Sequence, residues 1–300
     1  MTSFSRRRFL TISAACTLLP SGASATPVAR WRGAALGAEA SLRLEGMGQT
    51  QAAPVIAAVE AEVRRLENIF SLYRPNSDLS RLNRDGVLPN PAPELLDVLS
   101  LSGALNDATK GAFDPTIQPL WMAIATNAAS AAIVRAQAAV GWKKVNIGAD
   151  QIRLSEPGVS GITLNGIAQG AITDRVASLL KERGLRDVLV DLGEIAAIGQ
   201  RGDGSEWRVG LTTSDGGIQQ RITLRDRAVA TSAPTGTMLN AKQGHILNPT
   251  GGSHENLAVS VSAPSAAVAD GLSTALCLIE PERMAPVLAR FPQTKLEMLI

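Results

Sequence analysis

The sequence predicts a mixed α+β fold, a central sheet flanked by helices, and three observations carry that prediction. Residues 52–73 place Val55, Val59, Val63, Leu66, Ile69 and Phe70 on one stripe of a long amphipathic helix. From Asp187 onward, short apolar runs bounded by turns dominate, at 187–192, 207–212, 219–224, 228–232 and 257–263. Two closing segments, 265–279 and 281–290, return to helical spacing.

The remaining elements follow in order. Residues 34–44 (ALGAEASLRLE) alternate weakly and predict a first strand. Arg74-Pro75-Asn76-Ser77 ends the long helix, and Ser77 caps a short one through Leu82. A linker at 89–93 precedes a helix over 94–109. Gly111 to Thr116 breaks the pattern before a helical piece through Trp121, and an Ala-rich helix covers 125–140. Residues 145–154 predict a hairpin pair, and 161–164 a short strand entering Asn165-Gly166. A helix from about Ile167 to Arg183 is ended by Gly184 in the left-handed conformation.

Three hundred residues with 45% hydrophobic content can form one large or two small cores. Aromatics make up only 3%, so Leu, Val, Ile and Ala must fill that core. The first 25 residues read as a targeting peptide. Ser5-Arg6-Arg7-Arg8-Phe9-Leu10 fits the twin-arginine pattern, an apolar run spans 10–19, and Ala23-Ser24-Ala25 offers a cleavage site. The run is too short to span a bilayer. The expectation is a signal peptide at 1–25, one domain over 26–300 and a periplasmic destination. Three of the 29 basic residues lie in that segment, leaving 26 against 27 acidic. Near-neutral balance gives no nucleic-acid track and no membrane-adsorbing surface. Past the cleavage site Cys277 is the sole cysteine, which excludes an internal disulfide. With two histidines beside it, a zinc cluster is excluded too, so any metal must be oxygen-ligated.

The segment 265–279 (SAAVADGLSTALCLI) is apolar except for Asp270, Ser273 and Thr274. Asp270 and Thr274, four apart, share a helix face. Either they are a solvated Asp and a Thr bonded to its own backbone, or they offer two oxygens to a hard cation that handles a phosphate. The turn Leu164-Asn165-Gly166-Ile167-Ala168-Gln169-Gly170 joins strand to helix; Gly166 permits close approach, and the helix start presents free amides. It lacks the Gly-Lys-Ser/Thr of a P-loop, and close packing explains its small residues equally well. Phe113 and Asp114, at a proline-stiffened turn, either flank a planar ligand or form a plain Asp-Pro turn over a core ring. Tyr73 could stack on a ring system or pack at a boundary. His245, in a turn-rich segment, could be a general base or a phosphate partner, or a surface histidine without a role. No nucleophile-elbow motif supports serine hydrolysis.

Six segments together carry a resemblance: FSLYRPNSDLSRLN (70–83), GAFDPTIQPLW (111–121), LNGIAQGAITDRVASLL (164–180), LVDLGEIAAIG (189–199), HILNPTGG (245–252) and VSVSAPSAAVADGLSTAL (259–276). In this order they resemble the ApbE family, the FAD:protein FMN transferases, from about residue 34 to the C-terminus. The resemblance implies a two-layered, T-fold-like α+β arrangement of mixed and antiparallel sheets with FAD in the central cleft. It implies magnesium-dependent cleavage of FAD, attachment of FMN to a threonine or serine of a partner flavoprotein, and release of AMP. That partner would belong to an exported or membrane-bound electron-transfer system. Residue by residue, Asp270 and Thr274 match side-chain metal ligands and Gly166 a backbone-carbonyl ligand. Leu36, Tyr73, Ala112, Phe113, Asp114, Thr163, Gln169 and Ile246 match FAD contacts. His245 matches a histidine of the transfer step, and with Asp270 it takes the catalytic places.

The chain also departs from the pattern. Thr163 and Gln169 stand where the family commonly has an acid and a lysine, Asn248 where it has an aspartate, and Glu194 where glycine is usual. Losing two nucleotide-facing charges leaves two alternatives open beside transfer: a magnesium-dependent FAD pyrophosphatase, and a non-catalytic periplasmic flavin-binding or assembly factor.

Overall fold

The computed structural model describes residues 26–213 and 216–300; the twin-arginine segment lies outside them. Strands β1 (Val28–Ala35) and β2 (Ala38–Glu45) form a hairpin closed by Leu36 and Gly37, both at positive φ, 47° and 85°. The single strand expected over 34–44 is therefore a turn plus the second arm. A leucine in a position that favours Asn or Gly hid the reversal.

Helix α1 (Gln49–Phe70) buries the whole predicted stripe, and α2 (Asp78–Asp85) starts at Ser77, whose hydroxyl accepts from the Ser80 amide. Strand β3 (Val87–Pro89) leads into α3 (Pro93–Ala108). A 3-10 turn at Pro115–Ile117 runs into α4 (Gln118–Ala125), and α5 (Ser130–Ala139) follows. The expected hairpin appears as β4 (Val145–Ile147) and β5 (Gln151–Leu154), joined by β3 in a three-stranded sheet. Residues 161–164 are extended but join no ladder. The Asn83 amide takes the ladder's place there: its Nδ2 donates to the Ile162 carbonyl at 2.8 Å, and its Oδ1 accepts the Ile162 N–H at 2.7 Å.

The chain continues through α6 (Ala168–Glu182), β6 (Val188–Asp191), β7 (Ile195–Ile198), β8 (Trp207–Thr212), β9 (Ile218–Leu224), β10 (Arg227–Ser232) and β11 (Val259–Ala263). Helices α7 (Ala266–Leu276) and α8 (Met284–Leu288) and strand β12 (Lys295–Leu299) complete it. Gly184, at φ 82°, ends α6 as expected.

The main sheet runs β1-β2-β6-β7-β10-β11-β12, every neighbour antiparallel. Ala196, Ile198 and Ala228 face the helices, while Leu189, Ile195, Ala197 and Val229 face the β8–β9 ribbon. Covered on both sides, β7 is apolar throughout and shows no alternation, which is why the sequence did not reveal it.

Helices α6 and α7 pack closely because Gly170 has no side chain: a Cβ there would stand 2.4 Å from the Ala266 carbonyl oxygen. Asp174 joins the two helices. Its carboxylate accepts the Ser265 hydroxyl at 2.6 Å and the amides of Ala266 and Ala267 at 2.7 and 3.0 Å, capping α7 from a neighbouring helix. Asp174→Ala strands those donors, with an expected loss of about 2 kcal/mol. Thermal melts should show Tm lower by about 4–8 °C; an unchanged Tm removes the cap from the account.

Candidate functional site

The site is assembled where the start of α6 and the middle and last turns of α7 meet the end of β10. Asp270 is only 4% exposed, although it was equally readable as a solvated residue. Its Oδ2 accepts the Gly170 amide at 3.0 Å. Burial, more than any other influence, pushes its carboxyl up to about 7, and the Asp174 charge adds to the rise. Among the described residues no lysine, arginine or histidine pairs with it. A buried carboxylate with one hydrogen bond and no counter-charge is short of positive charge.

Thr274 lies one turn further along α7. Its hydroxyl is 3.2 Å from Ser232 Oγ, which also bonds Ser273 Oγ at 2.8 Å. Gly166 abuts it: a Cβ on Gly166 would stand 3.0 Å from Thr274 Oγ1. The structure thus brings Gly166, Asp270 and Thr274 together, with Ser232 as a neighbour that no sequence pattern announced. Among the described residues no three His, Cys, Asp or Glu side chains converge as a metal cluster. A cation here would rely on carboxylate, hydroxyl and carbonyl oxygens with water, a donor set that fits magnesium.

Two further acids stand near this group. Glu194 is 8% exposed, and burial, then the charges of Asp270 and Asp191, drive its carboxyl well above the usual range. Asp191 is pushed up to about 6, chiefly by burial.

His245 reaches the same corner from the other side. Its N–H donates to the carbonyls of Pro234 and Thr237 at 3.0 and 2.9 Å, so it is tied to the segment two residues beyond Ser232. Ring Nδ1 lies 3.3 Å from the Thr237 carbonyl, which can only accept, so Nδ1 carries the proton and Nε2 holds a lone pair. Burial lowers the ring's pKa and keeps it neutral. Trp121 Nε1 donates to the His245 carbonyl at 3.1 Å, tying segment 111–121 to segment 245–252. Ile246 is half-buried against the main core.

The other predicted contacts form two groups. Leu36 and Arg74, the residue after Tyr73, are joined through Glu67, which accepts the Leu36 amide at 2.9 Å and pairs with the Arg74 guanidinium. Glu67 is half-buried on α1 and carried no sequence cue. Tyr73 is 62% exposed, so its ring is presented at the surface. In the second group the Thr163 amide donates to the Pro115 carbonyl at 2.8 Å, setting the 111–116 turn against the 163–170 turn. Phe113 is buried and Ala112 half-buried. Asp114 serves its own turn: Oδ1 takes the Thr116 amide and hydroxyl at 2.9 and 2.6 Å, and Oδ2 takes the Trp142 amide at 3.1 Å. Its side chain thus spends three acceptor positions on the turn. The Thr163 hydroxyl accepts the Asn165 amide at 3.2 Å, and Gln169 lies over Gly193, where a Cβ would come within 2.2 Å of Nε2.

An antiparallel α+β frame that buries an uncompensated carboxylate beside hydroxyls, a close-approach glycine and a neutral imidazole defines a protein suited to a hard cation and a phosphate-bearing ligand. The chain belongs to the ApbE family, whose model matches residues 36–300. It is 26% identical over 266 residues to the FAD:protein FMN transferase of Klebsiella pneumoniae (strain 342), covering 81% of this chain and 76% of that protein. The apo crystal structure of the flavinyl transferase ApbE from Pseudomonas stutzeri superposes with a TM-score of 0.76 at 27% identity, covering 87% of each chain. The Vibrio cholerae flavin transferase ApbE shares the fold, with a TM-score of 0.77 at 24% identity over 90% of this chain and 93% of that one.

Proposed function

We propose that this chain is a flavin transferase that moves FMN from FAD to a threonine or serine of a separate flavoprotein and releases AMP. The observation that carries the reading is the buried, uncompensated Asp270 set against Gly166, Gly170 and Thr274 in a chain of the ApbE family. Asp270, Thr274 and the Gly166 carbonyl would hold magnesium, which neutralises pyrophosphate charge and steadies the departing AMP. Nε2 of His245, bearing the free lone pair, accepts the proton of the acceptor hydroxyl. Leu36 and Tyr73 at one edge, and Ala112, Phe113 and the Thr163 turn at another, supply the surfaces for FAD.

The acceptor we infer is an exported or membrane-bound electron-transfer protein, and the site of action the periplasm, both resting on the twin-arginine segment at 1–25. Export in the folded state suits an enzyme whose parts come from segments far apart in the chain.

The test is incubation with FAD, magnesium and a candidate acceptor domain, following AMP release and acceptor mass. A gain of one FMN on the acceptor, with stoichiometric AMP, is the expected result. AMP without a mass gain identifies a pyrophosphatase, and bound flavin without AMP identifies a binding factor. Thr163 and Gln169, engaged in local contacts and carrying no charge, make those two outcomes the informative alternatives.

A further inference from the structure

We propose, building on the reading that Asp270 seats a divalent cation, that Glu194 is a second carboxylate of that cation site. Its place in the sheet sets its direction. Ile195 pairs with Val229, and both face the β8–β9 ribbon, whereas Ala196, Ile198 and Ala228 face the helices. One residue back from Ile195, Glu194 ends the turn into β7 and, with the register continued, stands opposite Ala230, which faces the helices. On that face Ala230 packs against Ala263 and Ala269, the residue before Asp270.

Contacts on both sides bracket the same spot. Gly193 lies under Gln169, the neighbour of the Gly170 whose amide Asp270 accepts. The Thr231 amide donates to the Glu194 carboxylate, and the next residue, Ser232, bonds Thr274. Glu194 therefore stands among the groups that surround Asp270, with its backbone carbonyl accepting from Thr173 on α6 at 3.4 Å.

No protein cation answers this second buried charge among the described residues. The cavity of about 20 Å³ beside it, lined by Glu194 itself with Val209, Leu211, Val229 and Thr231, has room for roughly one water and supplies no positive charge. Two buried carboxylates that repel one another without a counter-ion are costly, and one divalent ion between them would answer both. Magnesium is commonly bound through one or two carboxylates, so Glu194 brings the site to the upper end of that range and raises its affinity.

The test is calorimetric titration of the protein with Mg2+ alone, without FAD, on the native sequence, Glu194→Gln and Asp270→Asn. Glu194→Gln should weaken Mg2+ binding by about 10-fold or more and raise the melting temperature measured in chelator, because one buried charge is gone. Binding within about twofold of the native protein, with Asp270→Asn defective, overturns the role of Glu194 and leaves the cation site standing. Unchanged binding in both variants overturns the cation site itself. Should the amide variant fail to fold, Glu194→Ala provides the same comparison.

Discussion

Asp270→Asn should reduce FMN transfer by at least about 100-fold while leaving the protein folded, since even outer partners of a metal are worth 10–100-fold. The amide keeps the size of the side chain and can still accept the Gly170 N–H, so the α6–α7 contact survives. What it loses is the charge that a cation would answer. The same residue gives the pH dependence its sign. Its carboxyl is pushed up to about 7 in the cation-free fold, above the ordinary aspartate value. The cation-free protein is thus helped by protonation at low pH, and that help is lost as pH rises through about 7. A proton and Mg2+ compete for the same oxygens, so Mg2+ affinity should fall below pH 7 by roughly tenfold per unit. Transfer by Asp270→Asn at the native rate, or Mg2+ affinity flat from pH 8 to 5, would remove Asp270 from the site.

Gly170→Ala should damage both the fold and the site. The added Cβ would lie 2.4 Å from the Ala266 oxygen, 2.6 Å from its carbonyl carbon and 2.7 Å from Ala267 Cα, all backbone atoms at the capped start of α7. Backbone cannot step aside as a side-chain end can, so α6 and α7 must separate. The overpacking cost is about 3 kcal/mol, offset by about 1 kcal/mol of helix propensity. The expected net fall in Tm is about 4–8 °C, accompanied by loss of Mg2+ binding because Gly170 N–H and Asp270 move apart. Gly271→Ala is the matched control. Its Cβ meets only the Leu105 side chain, closest at Cδ1, which can rotate away. Equal effects of the two substitutions would show that helix spacing is not what Gly170 sets.

Much of the frame was legible along the chain because each element wrote its own period. The α1 stripe, the Ser77 cap and the Gly184 stop all appear where local physics put them. The misreadings share a cause: there the deciding partner is distant in sequence. The Leu36-Gly37 reversal is bonded by Glu67, thirty-one positions on, and residues 161–164 take their bonds from Asn83. Strand β7 shows no alternation because both its faces are covered. The capping role of Asp174 left no mark at all, since its helix and the helix it caps are separate elements.

By itself the sequence determined the α+β class, the periodic faces, that any metal would take oxygen rather than thiolate or imidazole ligands, and the residues that carry the family likeness. The class, the faces and the ligand type follow from composition and spacing, which are local properties of a chain, and the likeness from six segments matched in order. Only the tertiary structure decided that Asp270 is buried without a counter-charge, that Thr274 meets Gly166, that His245 is held neutral beside the end of β10, and that Glu194 is buried near enough to feel the Asp270 charge. Burial and electrostatic field depend on what other segments deliver to a point in space, and no stretch of sequence contains that.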